Sequence, residues 1–307
     1  MHNSSPDIVG IEATVVRAAD CVGARMVQRG DDAYIDRLHR LSDSPRTLWA
    51  RGTLSIAEPP AVAIVGTRTA TDYGLRIARM LAAGCARNGI CVVSGLARGI
   101  DGAAHEAVLA AAGRTVAVLG TGVDLHYPRG HRQLQERIAR EGLLLSEHPP
   151  GSTGHPGAFP RRNRIIAALA DVVVVVEAGL QSGALITANF AKELGIPVAV
   201  VPGPIDSPAS AGSNELLLEM HTPLLSLNDL LEMMSIDPSP PVLPAVGGDA
   251  AQCWDAIRSG ASTLSDIAER ASLSQRSAAS AISDLELDGL VTIDASGRIR
   301  AALAVTG

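Results

Sequence analysis

Between residues 61 and 201, short apolar segments alternate with longer segments that have the spacing of amphipathic helices. Two of the apolar segments, Ala61–Val65 and Val172–Val176, contain no polar residue at all. Strands that are apolar throughout are buried on both faces, as in a parallel sheet with helices packed on each side. The alternation therefore predicts an α/β fold whose parallel sheet is built with right-handed crossovers.

Six strands and five helices are predicted in this sheet domain, residues 61–234. The strands are Ala61–Val65, Ile90–Val93, Thr115–Leu119, Leu143–Ser146, Val172–Val176 and Val198–Val201. The helices are Tyr73–Arg87, Asp101–Ala112, Arg132–Arg140, Arg162–Ala170 and Ala184–Leu194. Because ligands of such sheets bind beyond the carboxyl ends of the strands, the loops that follow the strands are the first candidates for a site.

The segments on either side of the sheet domain have a different character. Residues 1–60 are predicted as a short helical N-terminal segment, with helices at Ala13–Val27 and Tyr34–Leu41. Residues 235–248 contain four prolines and a Gly pair without periodicity, which is typical of a linker. Three helix-like segments followed by a hairpin predict a winged-helix domain over residues 249–307.

The formal net charge of −6 by itself argues against a nucleic-acid partner. The charge is unevenly distributed, however, because residues 62–206 contain 14 Lys and Arg against 11 Asp and Glu, a balance of +3. Residues 248–307 contain 5 basic and 8 acidic side chains, a balance of −3. We therefore expect the sheet domain to bind an anion, and the C-terminal domain to contact protein rather than duplex DNA.

The clearest functional signal is the run Phe159-Pro160-Arg161-Arg162-Asn163-Arg164. Aromatic residues make up only 2% of the chain, so a Phe beside three arginines is unusual here. A guanidinium binds phosphate as a planar fork, and an aromatic ring stacks on an unpaired base. We interpret the run as a grip for single-stranded nucleic acid. The alternative is a solvated helix start whose Phe159 covers the edge of the core.

Three other strand-end loops have weaker signals. The segment Gly66-Thr67-Arg68 permits a tight turn and offers an arginine to an anion, and a solvated Arg in an ordinary turn is an equal alternative. Ser94 and Gly95 begin a loop whose glycines permit a close backbone approach. Ser182 and Gly183 are suited either to cap the next helix or to meet a phosphate.

Three further polar or aromatic residues in these loops are open to a structural interpretation. Asp101 is expected to cap a helix rather than to bind the ligand, because Asp is a favoured N-cap residue and its carboxylate repels phosphate. His105, one turn later, is expected to be packed rather than catalytic. Tyr127 either stacks on a ligand or packs against its neighbours.

The common signatures of enzymes and metal sites are missing from the sequence. There is no GxGxxG after the first strand, no GxxxxGK[ST] and no GxSxG. The four cysteines are scattered and form no CxxC pair, which predicts free thiols in a reducing cytoplasm. No apolar run approaches the ~20 residues of a membrane span, and the first residues do not resemble a signal peptide. We therefore expect a cytoplasmic protein without catalytic residues, metal or cofactor.

The strand-end segments, taken in order, resemble the DNA-processing protein A family (DprA, also called Smf) over roughly residues 60–217. The motifs that carry the resemblance are Val65-Gly66-Thr67-Arg68, Val93-Ser94-Gly95-Leu96-Ala97-Arg98-Gly99-Ile100-Asp101, Tyr127-Pro128, Ser146-Glu147, Phe159-Pro160-Arg161-Arg162-Asn163-Arg164, Val176-Glu177-Ala178, Ser182-Gly183-Ala184-Leu185-Ile186-Thr187-Ala188 and Pro202-Gly203. The resemblance implies an extended Rossmann-like fold that binds single-stranded DNA, forms a homodimer and loads the RecA recombinase during natural transformation.

The resemblance also implies roles for individual residues. Arg68 would contact backbone phosphate and Phe159 would stack on a base. Arg161, Arg162 and Arg164 would line the same groove, whose shape Asn163 would fix. The remaining backbone and hydroxyl contacts would come from Gly66, Ser94, Gly95, Ser182 and Gly183. This sequence departs from the family pattern at His155–Ala158, where many members carry a Lys, and at Met220-His221, where a Gly-Ala pair is expected.

An enzymatic alternative comes from related Rossmann-like proteins of the lysine-decarboxylase-like family, which cleave nucleoside monophosphates with a PGGxGTxxE loop. The corresponding segment here is Glu177-Ala178-Gly179-Leu180-Gln181-Ser182-Gly183. It has no Pro-Gly-Gly and no Glu further along, so this nucleotide-binding phosphoribohydrolase is the second choice. A transcriptional regulator that uses the winged helix is a third.

Overall fold

The computed structural model describes residues 19–219, 221–238, 248–287, 290–294 and 296–301. The chain divides into two compact units, Met1–Asp237 and Pro238–Gly307. In the described part of the larger unit, nine strands form one sheet. They are β1 Ala24–Gln28, β2 Thr47–Gly52, β3 Ala61–Val65, β4 Cys91–Ser94, β5 Thr115–Leu119, β6 Leu143–Ser146, β7 Val172–Val175, β8 Val198–Val200 and β9 Thr222–Pro223.

The order across this sheet is β1-β2-β6-β5-β4-β3-β7-β8-β9. All neighbours from β6 to β9 are parallel, whereas β1 and β2 extend the sheet in antiparallel fashion. The predicted parallel α/β fold is confirmed. The six strands β3 to β8 are buried along their whole length because helices cover both faces of the sheet there.

The helices of the larger unit alternate with the strands. They are α1 Asp72–Arg87, α2 Ile100–Ala110, α3 Arg132–Glu141, α4 Ala158–Leu169, α5 Gly183–Glu193, α6 Ala211–Leu218 and α7 Leu227–Met233. One hydrophobic core lies between the sheet and α1, α2 and α7, and a second lies between the opposite face and α4 and α5. None of the helices in the described ranges has the length and apolar character needed to cross a bilayer.

One helix of the sheet unit begins earlier than predicted. Helix α4 begins at Ala158 rather than at Arg162, so Phe159 and Pro160 lie in its first turn. This start is compatible with proline because the amides of a first helical turn have no partner within the helix.

Of the residues in the predicted N-terminal helices that the structure describes, residues 19–21 are α-helical as predicted and the others are not. Residues 24–28, the end of the helix predicted at Ala13–Val27, are strand β1, and residues 13–18 lie outside the described ranges. The helix predicted at Tyr34–Leu41 is a 3-10 turn, Asp36–Arg40. The physical reason is tertiary pairing. Val27 lies opposite Leu48 in the sheet and both are buried, so burial and ladder hydrogen bonds outweigh the local helix preference.

The smaller unit contains the three helices and the hairpin that the sequence predicts. The helices are α8 Gly248–Arg258, α9 Leu264–Arg270 and α10 Gln275–Leu287, and the hairpin pairs β10 Val291–Ile293 with β11 Ile299–Ala301. Trp254, Ile267 and Leu285 are buried in its core. Residues 239–247 of the predicted linker lie outside the described ranges, so the domain limits 61–234, 235–248 and 249–307 stay predictions.

Candidate nucleic-acid interface

A crevice lies at the carboxyl ends of β3 and β7, where the strand order reverses. The chain passes from β3 to β4, β5 and β6 on one side and then returns to β7 on the other side of β3. Open α/β sheets bind their ligands at such a switch point. The crevice holds a cavity of about 380 Å³, bounded by the loop after β3, the loop after β7 and the first turns of α4.

Contacts with Glu177 fix the position of the loop after β3. Gly66 has no room for a side chain, since an added Cβ would lie 2.9 Å from the carbonyl oxygen of Glu177. That oxygen accepts a hydrogen bond from the Thr67 amide at 2.7 Å. The buried Glu177 carboxylate accepts two more, from the Thr71 amide at 2.8 Å and the Thr71 hydroxyl at 2.6 Å. Arg68 therefore projects from a fixed backbone at the rim of the crevice.

Arg68, Phe159 and Tyr127 form a row across this rim. The Arg68 Cζ atom lies 5.9 Å from the centroid of the Phe159 ring, within the range of a cation–π contact. The Phe159 and Tyr127 ring centroids are 4.9 Å apart, with the ring planes tilted by 37°. Phe159 is half-buried, whereas Tyr127 is 48% exposed. Arg68 and Phe159, both predicted as site residues, are thus brought together.

Arg162 lies beneath this row, buried at the floor of the crevice. Its Nη1 donates to the carbonyl of Gly95 at 2.7 Å and also to the carbonyl of Val118. Its Nε donates to Asn163 Oδ1 at 3.1 Å. Burial lowers the pKa of Arg162 to about 10, and the nearby Asp101 carboxylate opposes that shift. The guanidinium therefore stays protonated at neutral pH, with its donors directed at protein carbonyls.

Asp101 has a structural role, but it is not the predicted helix cap. Gly99 occupies the N-cap of α2, and Asp101 lies within the first turn. Its Oδ2 accepts hydrogen bonds from the amides of Gly95 at 3.1 Å and Ala97 at 3.3 Å. Burial raises the pKa of Asp101, and the charge of Arg162 counteracts the rise. The pair thus fixes the loop after β4 from two sides.

Four residues predicted as DNA contacts, Ser94, Gly95, Asn163 and Arg164, have polar groups that are instead engaged within the protein. Ser94 is fully buried and its hydroxyl donates to the Ile64 carbonyl at 2.6 Å. Gly95 has no space above its Cα, because the Arg162 guanidinium fills it. Arg164 is also buried, as is the amide of Asn163, so the structure gives these groups structural roles.

Arg164 and Arg161 differ in their ion-pair partners and in their exposure to solvent. Arg164 Nη2 lies 2.6 Å from a Glu147 carboxylate oxygen, and its Nε lies 3.0 Å from Asp43 Oδ2. The Asp43 contact is an ion pair without hydrogen-bond geometry, since Nε has no hydrogen-bond partner among the described groups. The Arg161 side chain is 65% exposed and lies 4.0 Å from Asp43. Only Arg161 of the two is open to solvent, and it lies outside the cavity lining.

The opposite wall of the crevice is the N-terminus of α5. Ser182 is its N-cap, as predicted, and its hydroxyl accepts from the Ala184 amide at 3.3 Å. Gly183 is exposed, and its Cα faces open space. Asn163 Nδ2 donates to the Gly183 carbonyl at 3.1 Å and so ties α4 to α5. The crevice therefore has a helix N-terminus on one wall and Arg68 on the other, an arrangement suited to an anion.

His105 is packed rather than catalytic, as the sequence predicts. It is fully buried and its Nδ1 is 2.7 Å from the Thr115 hydroxyl. Burial lowers its pKa to about 3, so the ring is neutral at physiological pH.

Sequence reasoning missed a second cavity of about 620 Å³ on the other side of Phe159. Arg98, His126 and Arg129 line it together with Tyr127. A signal for it was present, since Arg98 belongs to the loop after β4 and Arg129 follows Tyr127 by two residues. The two cavities meet along Arg68, Ala97, Phe159 and Arg162.

The open parallel sheet and the reversal of its strand order place the chain in the Rossmann-like class of α/β folds. Residues 25–235 match the family described as DNA recombination-mediator protein A, and the chain belongs to that family. It is 40% identical to a putative DNA processing protein DprA from Mycobacterium tuberculosis, and the match covers 92% of this chain and 79% of that relative. It is 41% identical to the DNA processing protein DprA of Streptococcus pneumoniae, over 66% of this chain and 71% of the relative.

Two solved structures agree with the fold. The X-ray structure of DprA from Streptococcus pneumoniae matches with a TM-score of 0.65 and 39% identity, covering 68% of this chain and 73% of that one. DprA from Helicobacter pylori, described for its unique single-stranded DNA binding mode, matches with a TM-score of 0.63 and 31% identity, covering 69% of this chain and 95% of that one.

Proposed function

We propose that this protein binds single-stranded DNA at the strand ends of its sheet, protects incoming DNA and loads the RecA recombinase in transformation and recombination. The observation that carries the proposal is the pairing of Arg68 with Phe159 at the rim of the switch-point crevice. One side chain offers a positive charge and the other an aromatic face, and the N-terminus of α5 forms the opposite wall of the crevice.

The geometry favours single strands over duplexes. A base can stack on Phe159 only when it is free of its complementary strand, and such stacking is worth about 1–3 kcal/mol per base. Arg68 and the α5 amide of Gly183 would hold the neighbouring phosphate on either side of the crevice. Because every base has a flat face, we expect little sequence preference.

Relatives support the proposal. The Helicobacter pylori relative with a similar fold is described as binding single-stranded DNA, and the relatives from Streptococcus pneumoniae and Mycobacterium tuberculosis are described as DNA processing proteins. The partnership with RecA, the homodimer and a cytoplasmic location are parts of the same proposal.

We propose further that the protein acts without catalysis. In the alternative, a phosphoribohydrolase, a carboxylate near the crevice would have to reach the substrate. Glu177 is 1% exposed and its two oxygens are held by Thr71, which favours a structural role for it. Release of free base from a nucleoside monophosphate, followed by chromatography, would revive the enzymatic alternative.

The proposal is tested by electrophoretic mobility shift with an oligo-dT strand and a duplex of the same length. Wild type should bind the single strand preferentially. Arg68→Ala and Phe159→Ala should each weaken that binding by at least about 5-fold, the lower bound for one stacked base. Arg79→Ala is the matched control, because Arg79 is exposed on α1 and lines neither cavity. Equal binding of strand and duplex, or no effect of either site variant, would contradict the proposal.

A further inference from the structure

The second cavity has the size and position of a further ligand subsite. Its volume of about 620 Å³ lies within the range of about 300–1,000 Å³ that is typical of small-molecule sites. It shares a wall with the switch-point cavity, formed by Arg68, Phe159 and Arg162. A ligand that lies in the switch-point cavity and extends past Phe159 toward Tyr127 therefore enters the second cavity while it stays in contact with the protein.

The charges around this cavity have one sign. Among the described residues that line it there are four arginines and a histidine, and no Asp or Glu. Arg68, Arg98 and Arg129 are exposed, and no described carboxylate lies within ion-pair distance of any of them. In a chain with a net charge of −6, three unpaired guanidiniums around one cavity are a local reversal of charge. Such a cluster fits an anionic ligand.

The cavity also has an exposed aromatic face. Tyr127 is 48% exposed, although one side of its ring contacts Phe159 at a centroid distance of 4.9 Å. His126, beside it, is held by Glu136 at 2.8 Å and so has a fixed position. A phenol ring stacks on a planar base, and a guanidinium binds a phosphate. The second cavity therefore has both groups that are needed to recognise a nucleotide.

We propose that the second cavity is a second nucleotide subsite. A DNA strand that stacks one base on Phe159 continues into the second cavity and places a following base on Tyr127. Arg98 and Arg129 each neutralise one of the two phosphates that flank that base. The inference rests on the proposed single-strand binding, and it adds a direction for the strand and two arginines to the site.

The test is fluorescence anisotropy with labelled oligo-dT strands of increasing length, using the full chain. Tyr127→Leu keeps an apolar contact with Phe159 but removes the aromatic face. It should weaken binding about 5- to 100-fold for strands that reach both cavities and leave the shortest bound strand unaffected. Tyr127→Phe should bind as wild type does.

Arg98→Gln and Arg129→Gln test the phosphate contacts. Each should make the plot of log affinity against log salt less steep by about 0.7, the value for one phosphate in a single strand. Arg79→Gln, which removes the same charge from an exposed site outside both cavities, should leave the slope unchanged.

The outcomes separate this inference from the proposed function. If wild type binds and Phe159→Ala weakens binding, but Tyr127→Leu has no effect at any length, the second subsite is refuted and the first stands. An equal loss with Tyr127→Leu at every length also refutes it, since Tyr127 would then act only by supporting Phe159. If wild type fails to bind single strands, both proposals fail. If free dTMP binds the second cavity and the affinity for oligo-dT does not depend on strand length, the ligand of the cavity is a separate nucleotide. That result would overturn the inference of a continuing strand.

Discussion

Two sets of arginines near the strand ends differ in their surroundings although they are alike in sequence. Arg68, Arg98 and Arg129 are exposed, with no described carboxylate within ion-pair distance. Arg162 and Arg164 are buried and have protein partners. Burying a guanidinium without partners is too costly, so the buried pair must be satisfied from within the protein. The exposed set is therefore free to bind a ligand, and the buried set keeps the binding surface in place.

This difference separates stability from affinity. Variants of the buried arginines should change the free energy of unfolding, because they leave carboxylates or carbonyls without a partner. Variants of the exposed arginines should change DNA affinity at nearly constant stability. A variant that changes both by comparable amounts would break the comparison.

The largest effect is expected for Arg162→Ala. Its removal leaves Asp101 buried without its compensating charge and leaves the Gly95 and Val118 carbonyls without a donor. Breaking a buried pair in this way costs about 3–5 kcal/mol of the free energy of unfolding. Urea denaturation of Arg162→Ala beside Arg161→Ala, an exposed neighbour expected to cost less than about 0.5 kcal/mol, measures the difference. Equal midpoints would contradict the structural role of Arg162.

A smaller effect is expected for Arg164→Ala. The change removes ion pairs with Glu147 and Asp43, but the Asp43 side chain is 55% exposed and regains water. We expect a loss of about 1–3 kcal/mol, mostly from the Glu147 contact. Thermal unfolding of this variant and of Asp43→Asn resolves the two contacts. A loss with Asp43→Asn as large as with Arg164→Ala would contradict this assignment.

A third, smaller effect on stability is expected for the partly exposed carboxylate of Glu136. Glu136 bonds both Arg51 and His126, and the Arg51 hydrogen bond is the main reason that its pKa falls from 4.5 to about 2. A carboxylate whose pKa is lowered on folding stabilises the protein above its unfolded pKa. That contribution is lost as the pH falls from about 4.5 to about 2.

Because the Glu136 side chain is 33% exposed, solvent screening reduces its contribution to about 1 kcal/mol. Unfolding measured from neutral pH down to this acid window should therefore show a decline in wild type that Glu136→Gln lacks. The same decline in both proteins would assign it to other carboxylates.

The smallest effect is expected from removing the smaller unit. Residues 248–307 have a charge balance of −3, and the helix Gln275–Leu287 has Asp284 and Glu286 against a single Arg276. A chain truncated after Asp237, where the larger unit ends, should bind oligo-dT within about twofold of the full chain, equivalent to less than about 0.5 kcal/mol. A tenfold loss would show that the smaller unit contributes to DNA binding directly.

Much of the fold could be predicted because its signals are local. Ala61–Val65 is apolar throughout, Thr115–Leu119 is apolar after its first residue, and both strands have the predicted limits. The N-terminal strands were missed because β1 has only two buried residues, Ala24 and Val27, and pairs with the separate strand β2, which begins at Thr47. Pairing at that distance leaves no periodicity in a short edge strand.

The site was predicted in its location but only partly in its roles. Arg68 and Phe159 were placed together because both follow strands on the same edge of the sheet. The sequence does not distinguish Arg161 from Arg162 and Arg164, since burial of a helix residue depends on what packs against it. Arg98 and Arg129 were missed because their positions in two separate loops do not show that both side chains line one cavity.

The most direct test of the central claim is the salt dependence of oligo-dT binding by wild type, Arg68→Gln and Arg79→Gln. If an unpaired Arg68 holds a phosphate, its loss should lower affinity and make the log–log slope less steep by about 0.7. Arg79→Gln, which removes an equal charge outside the site, should leave the slope as in wild type. An unchanged slope in Arg68→Gln, or binding that hardly responds to salt in wild type, would contradict the account.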